Sequence, residues 1–295
     1  MDDETIAKYK EAGRIAGRAR DLGRSLVVEG AGMLDVVDKV EASILENGGG
    51  LAFPVNLSID NEAAHFTPRT TDGRAVFRRG QVVKVDVGAH VDGFIADTAT
   101  TVEVGTNDWT RLIRASEKAL EAAIETIGEA PLSTIGRTVQ DVIHGFGYEP
   151  IENLTGHSLD RYELHAGISV PNVERAIAGN VPPGTAVAIE PFASTGTGKV
   201  SGKVLGNIYI FKKEVRLKNP DAVQLQRFLM GRPPLPFSER ACSRVSQDVQ
   251  RSLAILMRRR GIYGYSVLAD EPGSMVSQTE HTVLVLDGER IVTTR

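Results

Sequence analysis

The sequence predicts an α+β fold, in which helices flank antiparallel hairpins rather than a parallel sheet. Three features point there. Apolar residues in the first fifty positions repeat at helical spacing, two Asp-Gly pairs sit between alternating apolar runs, and two more helical stretches lie between those hairpins. With 295 residues, 41% of them hydrophobic and 24% charged, the chain can bury a large core and has ordinary globular composition.

Ile15, Ala19, Leu22 and Leu26 fall on one face of a first helix, and Val37, Val40 and Ile44 on a second after the Gly30-Ala-Gly32 break. Asn47-Gly-Gly-Gly50 stops that second helix. Residues 51–57 read as strand or loop, followed by polar, proline-marked chain to Arg69. Residues 82–102 then alternate as two strands joined at Asp92-Gly93, a strong hairpin signal. Helices are expected over 108–127, ended by Gly128, and from a Ser133 cap with Ile135, Val139, Val142 and Phe146 along one side.

Residues 148–192 read as irregular except for the strand-like run 186–190. The next block begins with basic, glycine-containing chain over 199–216, then a short helix and the breaker Gly231-Arg-Pro-Pro-Leu-Pro236. A helix from Ser238 should follow, with Cys242, Val245, Val249, Leu253 and Leu256 in phase and Arg258-Arg-Arg-Gly261 at its end. Arginines there complement the helix dipole. We read 199–265 as a helical subdomain inserted into one domain spanning 1–295. A second hairpin closes the chain around Asp287-Gly288.

The first hairpin carries the chemistry. Pairing Val91 with Phe94 sets Asp97 opposite Gly88 and puts Asp86 on the same face as Asp97. The other face carries Val83, Val85, Val87, Phe94 and Ala96, as a core-facing side should. Two carboxylates held side by side repel unless a proton or a cation sits between them. Glu190 and Glu280 also lie on or beside predicted strands, where acids are depleted. Any one of these acids alone would read as an edge charge. Together with His157 they form a candidate site for hard or borderline divalent ions: Mn, Fe, Co or Zn. Two ions sharing carboxylates can activate water and polarise a carbonyl, which is hydrolysis chemistry.

A net charge of −4 gives no global pull toward nucleic acid or anionic membrane. No apolar run is long enough to span a bilayer, and the acidic start lacks the pattern of a signal peptide. The one cysteine, Cys242, excludes an internal disulfide and a thiolate cage. Of the remaining histidines, His90 beside the turn reads as structural, His144 as a helix-end or surface residue, and His281 as facing away from Glu280.

Taken in order, Asp86-Val-Gly, Asp92-Gly-Phe-Ile-Ala-Asp97-Thr-Ala, Gly156-His157, His165-Ala-Gly, Ile189-Glu-Pro-Phe192 and Gln278-Thr-Glu-His-Thr-Val-Leu284 resemble the methionine aminopeptidases, over nearly the whole chain. The segments 52–58 and 63–68, and the long interval between Glu190 and Glu280, are similar to the type II branch in its archaeal form. The resemblance implies a pita-bread fold, and makes Asp86, Asp97, His157, Glu190 and Glu280 ligands of two divalent metal ions, with Asp97 and Glu280 shared. It implies that His65 and His165 contact the substrate, with Glu190 as proton shuttle and Phe53, Phe192 and Tyr265 lining the methionine pocket.

The activity implied is removal of the N-terminal methionine from nascent polypeptides. A cytoplasmic monomer near the ribosome is expected, without membrane or sequence-specific nucleic-acid partners. The alternatives are an Xaa-Pro peptidase, disfavoured because no separate N-terminal domain precedes the catalytic one, and a non-catalytic ribosome- or RNA-associated relative, disfavoured because all five ligand positions are filled.

Overall fold

A computed structural model describes all 295 residues except the side chain of Lys203. The chain opens with helices α1 (Asp3–Leu26) and α2 (Met33–Glu46), then strands β1 (Gly50–Leu51), β2 (Asn56–Ile59) and β3 (Glu62–Ala64). The long hairpin β4 (Val82–Val91) and β5 (Phe94–Glu103) follows, then helices α3 (Thr110–Thr126) and α4 (Leu132–Gly145). Short strands β6 (Glu149–Pro150), β7 (Thr155–Leu159), β8 (Ser169–Pro171), β9 (Thr185–Ile189) and β10 (Phe192–Ser194) lead to the long β11 (Ser201–Phe211). Next come α5 (Pro220–Met230), β12 (Phe237–Ser238), α6 (Glu239–Cys242) and α7 (Val249–Arg258). Strands β13 (Ile262–Ala269), β14 (Val276–Gln278), β15 (His281–Val285) and β16 (Arg290–Val292) complete the chain.

The first hairpin has the register expected from its turn: Val91 pairs with Phe94 and Gly88 with Asp97. Asp92 and Gly93 both have positive φ, 51° and 93°, so the turn twists with the strands. One face of this ribbon packs Val83, Val85, Val87, Ala89 and Ala96 against Ala12, Ala16 and Ala19 of α1 and Val37 and Val40 of α2. Strands β16-β15-β9-β7-β8 form a second antiparallel sheet, whose Val187, Ile189, Val283 and Val285 pack against α3 and α4. Helices therefore cover the outer faces of both sheets, leaving the polar face of the hairpin turned toward the second sheet.

Several elements depart from the sequence reading. Helix α4 starts at Leu132 with Pro131 in the cap position, so Ser133 lies inside it. Burial of Leu132 in the core fixes that start. Helix α3 starts at Thr110, because the Glu103 carboxylate already accepts the Asp108 and Trp109 N–H groups ahead of it. The single helix expected from Ser238 is two, α6 and α7. Between them Asp221 accepts bonds from Ser246 Oγ and from the Gln247 and Asp248 N–H groups, which draws the chain out of helical register. Asp248 then caps α7 through the Arg251 N–H.

Residues 148–192 are more regular than expected, with β7 carrying His157. Residues 199–265 hold three helices, but also the long strand β11, which pairs antiparallel with β13 from Ser201↔Ala269 to Phe211↔Ile262. Its glycines and lysines hid it from the pattern, because its pairing partner lies some fifty residues on.

Candidate metal centre

The polar face of β4–β5 forms one wall of a cavity of about 230 Å³. Asp86, Asp97, His157, Glu190 and Glu280 all line it, as do His65, His165, Phe53, Phe192 and Tyr265. The cavity thus gathers every residue singled out from the sequence. Asp86 and Asp97 come from neighbouring strands of the hairpin, His157 from β7, Glu190 from the end of β9, and Glu280 from the join of β14 and β15. Ligand atoms of Asp97, His157 and Glu280 lie within 4.8 Å of one another. His157 Nε2 is 3.7 Å from both Asp97 Oδ2 and Glu190 Oε1.

Two sheets meet here without a continuous ladder. Ala99 and Glu280 exchange backbone hydrogen bonds, Glu280 N–H donating at 3.0 Å and Ala99 N–H at 3.3 Å. Thr98 Oγ1 donates to the Glu280 carbonyl at 2.8 Å, and Asn172 Nδ2 donates to the Glu190 carbonyl at 3.1 Å. The backbones of the acidic residues are therefore fixed by polar contacts their carboxylates do not share.

Burial holds the Asp86 carboxyl up, to about 7. Burial, then the Asp86 charge, pushes Asp97 well above the usual range. Glu190 is raised by burial and then by Asp97 and Asp86, and Glu280 by burial and then by Asp97, Glu190 and Asp86. His157 is lowered to about 3, first by burial and then by His165, so its imidazole is neutral and able to act as a ligand. Asp86 Oδ1, Asp97 Oδ1 and His157 Nδ1 are buried with no hydrogen-bond partner among the described residues. Such groups carry a large cost unless something else satisfies them. Four crowded carboxylates, one neutral imidazole and orphaned oxygens are a donor set that fits divalent cations.

The apolar side of the cavity is built by packing. Gly88, opposite Asp97, leaves room that the Phe53 ring fills: a Cβ there would stand 2.2 Å from the ring. Phe192, Leu154, Leu164 and Pro236 add to that side. The Tyr265 ring packs edge-on to His65 at 5.3 Å, and His165 tilts against His157 at 4.3 Å. Burial lowers His65 to about 4 and also lowers His165, so both rings are neutral.

The other histidines stand apart. His90 accepts from the Gly93 N–H and packs on Tyr162, His144 meets Glu149, and His281 Nδ1 lies 2.8 Å from Thr294 Oγ1. Several polar residues were not singled out from the sequence, Asn56 and Gln278 among them. Asn56 pairs across the strands with Asp86 and lines the cavity. Gln278 Nε2 approaches Glu280 Oε2 at 3.4 Å and Glu190 Oε2 at 3.5 Å. Gln278, two positions before Glu280, could have been found from strand parity. Asn56 could not, because its pairing with β4 leaves no local signal.

A methionine aminopeptidase of Methanocaldococcus jannaschii is 41% identical to the chain, with 100% of both covered, and one of Archaeoglobus fulgidus is 40% identical over the same share. Among solved structures, a thermophilic Arx1 superposes with TM-score 0.85 at 17% identity, covering 99% of this chain and 91% of that one. A methionine aminopeptidase from Thermotoga maritima gives TM-score 0.74 at 22% identity, covering 100% and 98%. At those identities the two structures speak to the fold, which is the pita-bread arrangement. The family profile matches residues 7–285, and with the full-length relatives it establishes that the chain belongs to metallopeptidase family M24.

Proposed function

We propose that this protein is a metal-dependent methionine aminopeptidase that removes the N-terminal methionine from nascent polypeptides. The observation that carries the reading is the convergence of Asp86, Asp97, His157, Glu190 and Glu280 beside an apolar recess, in a chain 41% identical to a methionine aminopeptidase. Those five residues would hold two divalent ions. Four carboxylates balance the charge of two such ions. Their oxygen and nitrogen donors suit Mn, Fe, Co or Zn. When bound, the ions supply Lewis acidity and lower the pKa of water.

The chain's own residues do the rest. Glu190 takes a proton from the attacking water at its carboxylate and passes it to the departing amine. The neutral His65 and His165 rings donate N–H bonds to the methionine carbonyl oxygen as negative charge develops there. Phe53, Phe192 and Tyr265 form the recess for the unbranched thioether side chain and exclude water from it. Nascent chains as substrates put the reaction in the cytoplasm, near the ribosome.

The test is methionine release from a Met-Ala-Ser peptide by metal-stripped protein, with Mn, Fe, Co and Zn added back singly and Ala-Pro-Ser as control. Metal-restored cleavage of the Met peptide alone is expected. Preference for Ala-Pro-Ser would move the protein to the Xaa-Pro peptidases, and silence on both peptides would sink the enzymatic reading.

A further inference from the structure

We propose that Gly206 and Asn207 are positioning residues for His65, an inference that rests on the role given to His65 above. His65 follows β3 with φ of 70°, in the left-handed region that side-chain-bearing residues seldom enter. Such a conformation persists only where its surroundings impose it. Here β11 imposes it from the far side of the cavity wall.

Strand β11 is irregular where it passes His65. Its register against β13 shifts between Gly202 and Leu205, and again between Leu205 and Ile208. In that bulge Gly206 comes so close that a Cβ would stand 1.6 Å from the His65 carbonyl oxygen. No side chain fits there unless the His65 peptide turns. The Gly206 carbonyl accepts the Thr67 N–H at 3.1 Å.

Asn207, itself at φ of 65° and buried, completes the clasp. Its Nδ2 donates to the Thr67 carbonyl at 2.9 Å, and its Oδ1 accepts from Arg69 Nε at 2.7 Å. The segment that leaves His65 is thus held by two consecutive residues of the bulge. Neither Gly206 nor Asn207 lines the cavity, so both act through His65. Small displacements of a donor aimed at developing charge are costly: about 1 Å can lower turnover by about a hundredfold.

The test is steady-state cleavage of Met-Ala-Ser by metal-loaded protein, for Gly206→Ala, Asn207→Gly and His65→Ala, and for each of the first two combined with the third. Gly206→Ala should lower kcat about tenfold or more, with metal content unchanged. Asn207→Gly keeps a residue at ease with positive φ but deletes both side-chain bonds, and should lower kcat several-fold. Both effects should vanish in the His65→Ala background, since a residue acting through His65 has nothing left to position. Effects that multiply undiminished in the double variants would overturn the inference, as would wild-type kcat in Asn207→Gly. If Gly206→Ala fails to fold, Asn207→Gly and its double variant decide. Wild-type turnover by His65→Ala alone would remove the role of His65 and the positioning inference with it.

Discussion

Thr282 holds both polar groups of Asp97's backbone with one hydroxyl. Its Oγ1 accepts the Asp97 N–H and donates to the Asp97 carbonyl, each at 2.8 Å. Thr101 does the same for Gln278, accepting its N–H at 2.8 Å and donating to its carbonyl at 2.7 Å. Side-chain hydroxyls thus stitch β5 to the β14–β15 segment where no ladder runs. Thr282→Val keeps the shape and removes the hydroxyl, leaving two buried backbone groups of Asp97 unpaired. Metal affinity should fall about tenfold or more, as for other groups that orient ligands, while Thr282→Ser should retain it. Competition with a chelator measures this, and equal affinity in the Val variant would refute the role.

Arg240 ties α6 to the N-terminal half. Its Nη2 donates to Glu41 Oε1 at 2.5 Å, and Nη1 donates to Thr67 Oγ1 at 2.8 Å and the Pro68 carbonyl at 2.6 Å. Burial raises the Glu41 carboxyl, and Arg240 offsets part of that. Arg240→Ala strands a partly buried carboxylate and should destabilise the fold by about 2 kcal/mol. An unchanged urea midpoint would show the pair to be inconsequential.

Acidification tests the burial of His65. Its pKa is lowered to about 4, so between the ordinary value near 6.5 and 4 the unfolded chain binds a proton that the folded one refuses. The difference costs nothing above the unfolded value and destabilises the fold as pH falls through that window, by about 2–3 kcal/mol at a pH of about 4.5. Metal-free His65→Asn should therefore lose less stability than the wild type on acidification from about pH 7 to about 4.5. Equal losses in denaturant titrations would contradict it.

Gly88→Ala would place a methyl inside the Phe53 ring. Overpacking should cost about 1–3 kcal/mol, and a shifted ring should raise KM for Met-Ala-Ser more than it lowers kcat. The reverse split would separate Phe53 from the recess.

What the sequence revealed was local. The Asp92-Gly93 turn fixed the parity of Asp86 and Asp97 because strand alternation needs only neighbours along the chain. The α+β class and the helical faces of α1 to α4 followed from periodicity in the same way. Long-range contacts left no such trace. The break between α6 and α7 depends on Asp221, more than twenty residues upstream, and the bulge in β11 depends on β13 and His65. Asn56 joined the cavity through β2 pairing with β4, which no motif announces.

The ligand set has a consequence in time. Asp86, Asp97, His157 and Glu190 leave the ribosome first, and Glu280 follows 90 residues after Glu190. Until Glu280 is made, the exchange between Ala99 and Glu280 that joins the sheets cannot form. Closing so long a loop comes late because contacts distant in sequence must await both partners. If these residues hold metal as proposed, a chain stalled before Glu280 lacks one of the donors and with it the capacity to act on others.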